Sequence, residues 1–485
     1  MLTSKKKEMK LNKFKIFIIG TGLLLGTASC NDAREITQDG IISDQNVWES
    51  LEDLQLGLNG VYGQWNYESQ INFNAIITDN VKRGIANNGQ GQSLYNFNLI
   101  PGTSQSTSIY SNSYAVINYA NRVLSGVENL EFEGENQATE DHIEAQLLTL
   151  RAMSHFTLFQ YYTEDYSDAN SLAITIMDYV PEITETPERN TVEEVLEFIK
   201  ADLNRAAELI SPEASDYFYI NANTIKAVQA RVALVEGDYT TAMNFAEELV
   251  AEYPLSNPDT YAAMFRDEVQ GEAIFSLARG QGDSQVASLF YFNTVEIDGD
   301  PFLEVSNGLY NALDDNDIRK DVIVGSESEF QGENSTDNIL LIYKYPGSVE
   351  PLVNDIKLIR SSEMKLIAAE SKARTNDLAG AAQAIKELRD ARFGSSQPLP
   401  TYNNLNQALT DILQERRLEL AFEGQRFLDI KRIGADINTG INRNEADCSS
   451  FSAPCGLPRQ DYRFTLPIPQ LELNANPNIT QNTGY

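Results

Sequence analysis

Histidine is nearly missing from this chain: His142 and His155 are the only two in 485 residues. That scarcity removes most Ser/His and Cys/His nucleophile schemes and most histidine-ligated metal sites together. The three cysteines are Cys30, Cys448 and Cys455, and neither of the last two has a neighbouring histidine that would make it a nucleophile or a zinc ligand. Basic residues are also few, 37 against 70 acidic, for a formal charge of −33. Such a surface repels polyanions, which argues against a nucleic-acid partner, whereas a neutral ligand is indifferent to it. No phosphate-cradling loop is present, because GQGQSL (89–94) and GQG (280–282) run into neither a lysine nor a dinucleotide pattern. HExxH and the G-x-S-x-G elbow are missing too. Only the paired carboxylates of a glycosidase stay open, since 70 acidic residues exclude nothing.

What the chain does have is enough apolar side chain, 42%, for one large core or two to three ordinary domains. Its N-terminus reads as an export signal over residues 1–29, with lysines before a short apolar run from Ile16 to Leu25 and small residues after it. The run is shorter than the roughly 20 residues of a spanning helix. Cys30 directly after Gly26-Thr27-Ala28-Ser29 is the bacterial lipoprotein pattern, with the thiol acylated and the chain cut before it. Asn31-Asp32 is no inner-membrane retention signal, so an outer-membrane anchor is expected, with residues 30–45 as the lipidated tether. The mature part then carries 31 basic and 69 acidic residues, or −38. Export also means an oxidising compartment, so Cys448 and Cys455, in the loop-like stretch NEADCSSFSAPCGLP, are expected to form a local disulfide rather than remain two free thiols.

From Val47 on, helical periodicity dominates. Helices are predicted over Val47–Tyr62, Ser108–Val127, His142–Tyr162 and Thr191–Ile210, the last opened by a Thr191/Glu194 capping box. His155 reads as a packed histidine, because no partner histidine lies near it. Asn223–Pro254 places Gly237 at the corner of a tetratricopeptide-like hairpin, with Tyr239, Ala242, Ala246, Leu249 and Pro254 in that repeat's small, apolar and terminal slots. Ser361–Arg392 repeats the arrangement more weakly around Asn376-Asp377. The expected fold is therefore mostly α: a tetratricopeptide-like helix-pair superhelical scaffold with long loop-rich insertions and a few short strands. The reading divides the mature chain at about 260 into an N-terminal helical region with binding loops (46–260) and a C-terminal region (261–485).

Two stretches interrupt the helices. Gln64–Gln105 reads as long loops with one short element near Ala75–Val81, and Tyr261–Asp355 as irregular chain containing strands at AIFSLARG (273–280) and NILLIYKYP (338–346). Long loops in a compact frame are common places for binding surfaces. A sugar-binding surface needs aromatic faces beside amides, carboxylates or guanidinium groups. The first insertion supplies Trp65 and Tyr67 with Asp79, Arg83, Asn87 and Asn88, followed by Tyr95 and Phe97. The second supplies Phe290, Tyr291 and Phe292. Core packing is the competing reading for each of these aromatics.

The densest charge pattern lies in Gln414–Gly434, QERRLELAFEGQRFLDIKRIG. Leu409, Ile412, Leu413, Leu420 and Phe427 make an apolar stripe. Gly424 stands where a helix end needs positive φ, so two helices are expected to meet there. The surrounding Arg416, Arg417, Glu419, Glu423, Arg426, Asp429 and Arg432 read as an ion-pair network locking that corner, with chemistry as the less favoured role. This stretch resembles the C-terminal signature of the SusD/RagB family, and LPIPQLELNANPNITQNTGY (466–485) resembles that family's chain end. Gln425 replaces a common His and Leu428 an aromatic. The resemblance implies a surface-exposed outer-membrane lipoprotein that binds a glycan or related nutrient oligomer without cofactor or catalysis. It also implies a SusC-like TonB-dependent transporter as partner, with this protein as its lid. It carries over scaffold residues (Arg416, Glu419, Glu423, Gly424, Arg426, Asp429) but no ligand residues. The rival readings are a surface glycan hydrolase on a helical frame and a structural lid with no ligand site of its own.

Overall fold

Helices form along the apolar stripes, and residues suited to capping or to positive φ close them. The structure, a computed structural model, describes residues 47–280, 282–292, 300–347, 352–449 and 453–485. The export signal (1–29), Cys30 and the tether to 45 lie outside the described residues. Ser50–Tyr485 forms a unit of its own, separate from Met1–Glu49, and the description below is of that unit.

Its first part runs α1 (Leu51–Gln64), α2 (Glu68–Ile77), β1 (Val81–Arg83), α3 (Gln92–Tyr95), α4 (Ser104–Asn129), α5 (Glu135–Tyr162) and α6 (Val192–Leu209). Next come α7 (Ala222–Glu236), α8 (Tyr239–Glu252), α9 (Pro258–Phe265), β2 (Ala273–Leu277), β3 (Leu303–Val305), α10 (Asn307–Tyr310) and α11 (Ile318–Ile323). The last part is β4 (Ile356–Arg360), α12 (Ser361–Arg374), α13 (Leu378–Phe393), α14 (Leu405–Glu419), α15 (Arg426–Ile437), β5 (Ile441–Asn442), α16 (Glu445–Ser449), β6 (Gly456–Leu457) and α17 (Gln470–Ala475).

Capping explains several starts and stops. The Thr191 hydroxyl accepts from the Glu194 amide while the Glu194 carboxylate accepts from the Thr191 amide, the expected box at the start of α6. Gly237, at φ +94°, ends α7, and Asn376, at φ +67°, turns α12 into α13. Both tetratricopeptide-like hairpins are therefore present, α7–α8 and α12–α13. Ala242 and Ala246 are fully buried on α8, and α8 packs closely against α12, so the two hairpins stack although far apart in sequence. His155 is fully buried, with Nδ1 against the Arg151 carbonyl (2.9 Å) and Nε2 accepting from the Met177 amide (3.1 Å). Burial pushes its pKa down to about 3, so it stays neutral.

The insertions differ from expectation in three places. Gln64–Gln105 is more ordered than a loop, because α2 occupies Glu68–Ile77. Its helical period was hidden because α2 is buried on nearly every side, polar residues included. Asn74, for example, donates to the Tyr161 hydroxyl (2.6 Å) and accepts from the Phe427 amide (2.8 Å). The second difference is NILLIYKYP, which is not a strand. It makes isolated bridges only, at Ile339 and Ile342. The amides of Leu340 and Leu341 donate instead to the side chains of Glu304 (3.1 Å) and Ser328 (2.9 Å), which leaves no ladder to extend. Third, the sequence leaves the partner of the expected β2 unassigned; it is β4, an antiparallel strand just past the second insertion.

Between α14 and α15 the chain turns at two left-handed residues, Phe422 (φ +64°) and Gly424 (φ +78°). A Cβ on Gly424 would sit 3.1 Å from the Tyr67 hydroxyl. The corner is held by buried ion pairs. Arg416 meets Asp429 (2.7 Å), Glu423 meets Arg360 (2.8 Å) and Lys344 (2.9 Å), and Arg426 meets Asp79 (2.8 Å). Glu419 lies at the centre, fully buried, between Arg360 (2.7 Å), Arg392 (2.9 Å) and Arg319 (3.4 Å). Further on, Cys448 and Cys455 are joined by a disulfide.

Candidate functional site

The two insertions meet through three residue pairs. β1 and β3 form an antiparallel ribbon that pairs Val81 with Val305, Lys82 with Glu304 and Arg83 with Leu303. Beneath it, Lys82 and Glu304 make a buried ion pair (3.0 Å). Burial pushes the Glu304 carboxyl up against the pull of Lys82. Glu304 also accepts from the amides of Ile85 (3.1 Å) and Leu340 (3.1 Å), so one carboxylate ties three segments together. The ribbon ends at Gly84, where a Cβ would lie 2.1 Å from the Pro301 carbonyl oxygen, so only glycine permits the approach.

Asn87 continues the clasp. Its amide donates to the carbonyls of Gln90 (3.0 Å) and Phe302 (2.9 Å), and its oxygen accepts from Arg83 Nε (2.9 Å) and the Gly89 amide (3.2 Å). Asn87 is buried by this role, which leaves Asn88 exposed at the tip with Arg83 half-buried behind it. Two large apolar side chains of the joined segments are exposed: Ile85 is 69% exposed and Phe292 67%. The Phe292 ring meets Phe302 edge-on at 5.8 Å, and the Phe302 carbonyl is the one held by Asn87. Exposed apolar side chains on segments that also carry an amide and a guanidinium supply the side-chain types that a sugar face and its hydroxyls call for.

The other residues singled out in the sequence are placed elsewhere, and the expected grouping of Trp65 and Tyr67 with Asp79, Arg83, Asn87 and Asn88 is not one cluster. Trp65 stacks on Phe275 at 6.1 Å, and with Tyr67 it lines a narrow crevice of about 50 Å³ beside Arg231 and Glu363. That space suits a water or two rather than a sugar. The Tyr67 hydroxyl donates to the Glu423 carbonyl (3.1 Å), and burial pushes its pKa up to about 12. Asp79 is buried against Arg426 and Arg417. Burial alone would raise its pKa, but the two guanidinium groups hold it well below the usual carboxylate range. Tyr95 is buried with its ring under the Arg443 guanidinium (3.8 Å) and its hydroxyl donating to the Asp447 carbonyl (2.9 Å). Tyr291 is also buried, its hydroxyl donating to the Ile342 carbonyl (2.7 Å). Among the three consecutive aromatics the exposed one is Phe292, which no residue count distinguishes from its neighbours. Among the described residues, no group of three or more His, Cys, Asp or Glu side chains is arranged to hold a metal ion.

Stacked helical hairpins carrying two joined insertions define a tetratricopeptide-like α scaffold. Comparison with known families agrees. A family model described as "Starch-binding associating with outer membrane" matches residues 33–235, and the SusD family model matches 331–485. SusD-like protein P2 of Formosa agariphila is 28% identical, over 98% of this chain and 100% of its own length. Among solved structures, a SusD superfamily protein from Bacteroides thetaiotaomicron superposes with a TM-score of 0.76 at 25% identity, covering 90% of this chain and 100% of that one. A laminarin-binding SusD-like protein superposes at 0.68 with 21% identity, over 90% and 100%. The chain belongs to the SusD/RagB family.

Proposed function

We propose that this protein is a non-catalytic, lipid-anchored lipoprotein facing the cell exterior, which captures a glycan and passes it to a SusC-like TonB-dependent transporter. The observation that carries the reading is the β1–β3 ribbon, which joins the two insertions, together with the exposure of Ile85 and Phe292 on the joined segments. The similarity to a laminarin-binding relative makes a neutral β-glucan a reasonable first ligand to try, and the acidic surface is compatible with one. The Cys30 pattern supports the anchor. Stacking and hydroxyl contacts hold the ligand, and moderate affinity allows it to leave towards the transporter.

The test is calorimetry of the purified protein against laminarin, starch and other neutral glycans, with product analysis of the same mixtures. Binding without released sugars is expected, and Phe292→Ala should weaken it about tenfold. Products appearing during incubation would favour the hydrolase reading. Unchanged affinities in both Phe292→Ala and Asn88→Ala would remove the ribbon face as the site.

A further inference from the structure

A second concave region lies away from the β1–β3 ribbon and uses none of its elements. It is a cavity of about 470 Å³ between α4, the segment 173–187 and the C-terminal α17, within the roughly 300–1,000 Å³ of small-molecule sites. We propose that this cavity is a second carbohydrate site, taking a short neutral saccharide.

Its walls are fixed in place. The Tyr110 and Tyr114 rings lie 4.7 Å apart with their planes at 56°, and the Tyr114 hydroxyl donates to the Thr175 carbonyl (2.9 Å). Asn121 is buried and donates to the carbonyls of Met177 (3.0 Å) and Tyr179 (2.9 Å) while accepting from Arg151 Nη1 (2.9 Å), which fastens that wall to α4. On the other side Asn476 donates to the Pro187 carbonyl (2.8 Å). A site whose walls are already bonded loses little freedom when a ligand enters.

Polar groups remain for a ligand within these walls. Asn118 lines the cavity and accepts from Arg122 Nε (2.9 Å) through its oxygen. The Thr175 hydroxyl oxygen is buried without a hydrogen-bond partner among the described residues. Glu472 lines the same space half-buried; burial pushes its carboxyl up, and a hydrogen bond from the Asn476 side chain offsets only part of this. At the lip, Tyr179 is 44% exposed and Ile183 fully exposed, an apolar edge that the fold itself leaves uncovered. Tyrosine faces with an amide, a hydroxyl and a carboxyl between them suit C–H faces alternating with hydroxyls. The carboxylates of Glu182, Glu185 and Glu472 outnumber Arg122, so a sulfated or uronic sugar is disfavoured.

The experiment titrates the full lipoprotein, in detergent, with maltose, cellobiose and laminaribiose by calorimetry. Three variants are compared: Phe292→Ala on the ribbon face, Asn118→Trp to fill the cavity, and Glu472→Gln as a milder change. At least one disaccharide is expected still to bind the Phe292→Ala protein, with any ribbon contribution reduced. Asn118→Trp should weaken that binding about tenfold or more, and Glu472→Gln about threefold. Thermal melts of Asn118→Trp show whether it folds, and if it does not, Glu472→Gln carries the test. The inference is overturned if both cavity variants bind like wild type, or if no disaccharide binds the Phe292→Ala protein. Retained binding of long glycans by wild type in that case leaves the ribbon reading standing, whereas a ribbon variant that changes nothing refutes that reading alone.

Discussion

Replacing Glu419 by glutamine keeps the shape of the side chain and removes one negative charge from a fully buried ion-pair cluster. Glu419 has no solvent exposure, and its oxygens accept from Arg360 Nη1 (2.7 Å), Arg392 Nη2 (2.9 Å) and Arg392 Nε (2.9 Å), with Arg319 Nη1 at 3.4 Å. All three arginines are themselves buried. Removing one partner of a buried ion pair costs about 3–5 kcal/mol, because the remaining charge stays desolvated. Glutamine still offers one acceptor, and Glu272 still faces Arg360 and Arg392 at 2.7 Å each. A loss near the lower end, about 3 kcal/mol, is therefore expected, a sizeable part of the 5–15 kcal/mol typical of folded domains. Burial alone would raise the Glu419 pKa, but attraction to Arg392 and Arg360 outweighs it and holds the carboxyl well below its usual value. A depressed carboxylate pKa adds stability above the unfolded-state value of about 4.3, and this is lost as pH falls further. Guanidinium unfolding followed by circular dichroism at pH 7 and pH 4 checks both points. The gap between wild type and Glu419→Gln should be wide at pH 7 and begin to narrow by pH 4. A gap under about 1 kcal/mol at pH 7, or one widening towards acid, would refute the argument.

Gly84→Ala should separate the strands at the end of the ribbon, since the new methyl meets the Pro301 carbonyl at 2.1 Å. A loss of about 1–3 kcal/mol is expected, together with weakened glycan binding in calorimetry, if the ribbon carries the site. Changing Cys448 and Cys455 to serine removes a cross-link of sequence separation 7. The chain-entropy relation for so short a loop gives about 2–3 kcal/mol, measurable as a matching loss when wild type is melted with and without reductant.

The helical hairpins were legible because their signal is local. Gly237, Ala242 and Ala246 lie within a few residues of one another, and close helix approach needs small side chains at that spacing. The corner at Gly424 was legible for the same reason, as was the ion-pair role of the charges around it. The exposed face of the ribbon was harder to read, because what exposes a side chain there is decided by distant segments. Tyr95 looks like a ligand platform until Arg443, far along the chain, is found lying over it. Phe290, Tyr291 and Phe292 are equal as sequence, and only the pairing of this segment with 300–303 turns the third outward. NILLIYKYP misled because an apolar run reports burial, whereas a ladder depends on which groups lie opposite.

The β1–β3 ribbon joins segments roughly two hundred residues apart, so closing it carries the chain entropy of a very long loop. Such a contact is gained late, after the local hairpins have formed and brought its ends near. The exposed ribbon face therefore comes into being only once the surrounding frame is complete, and a partly folded copy of the chain lacks it.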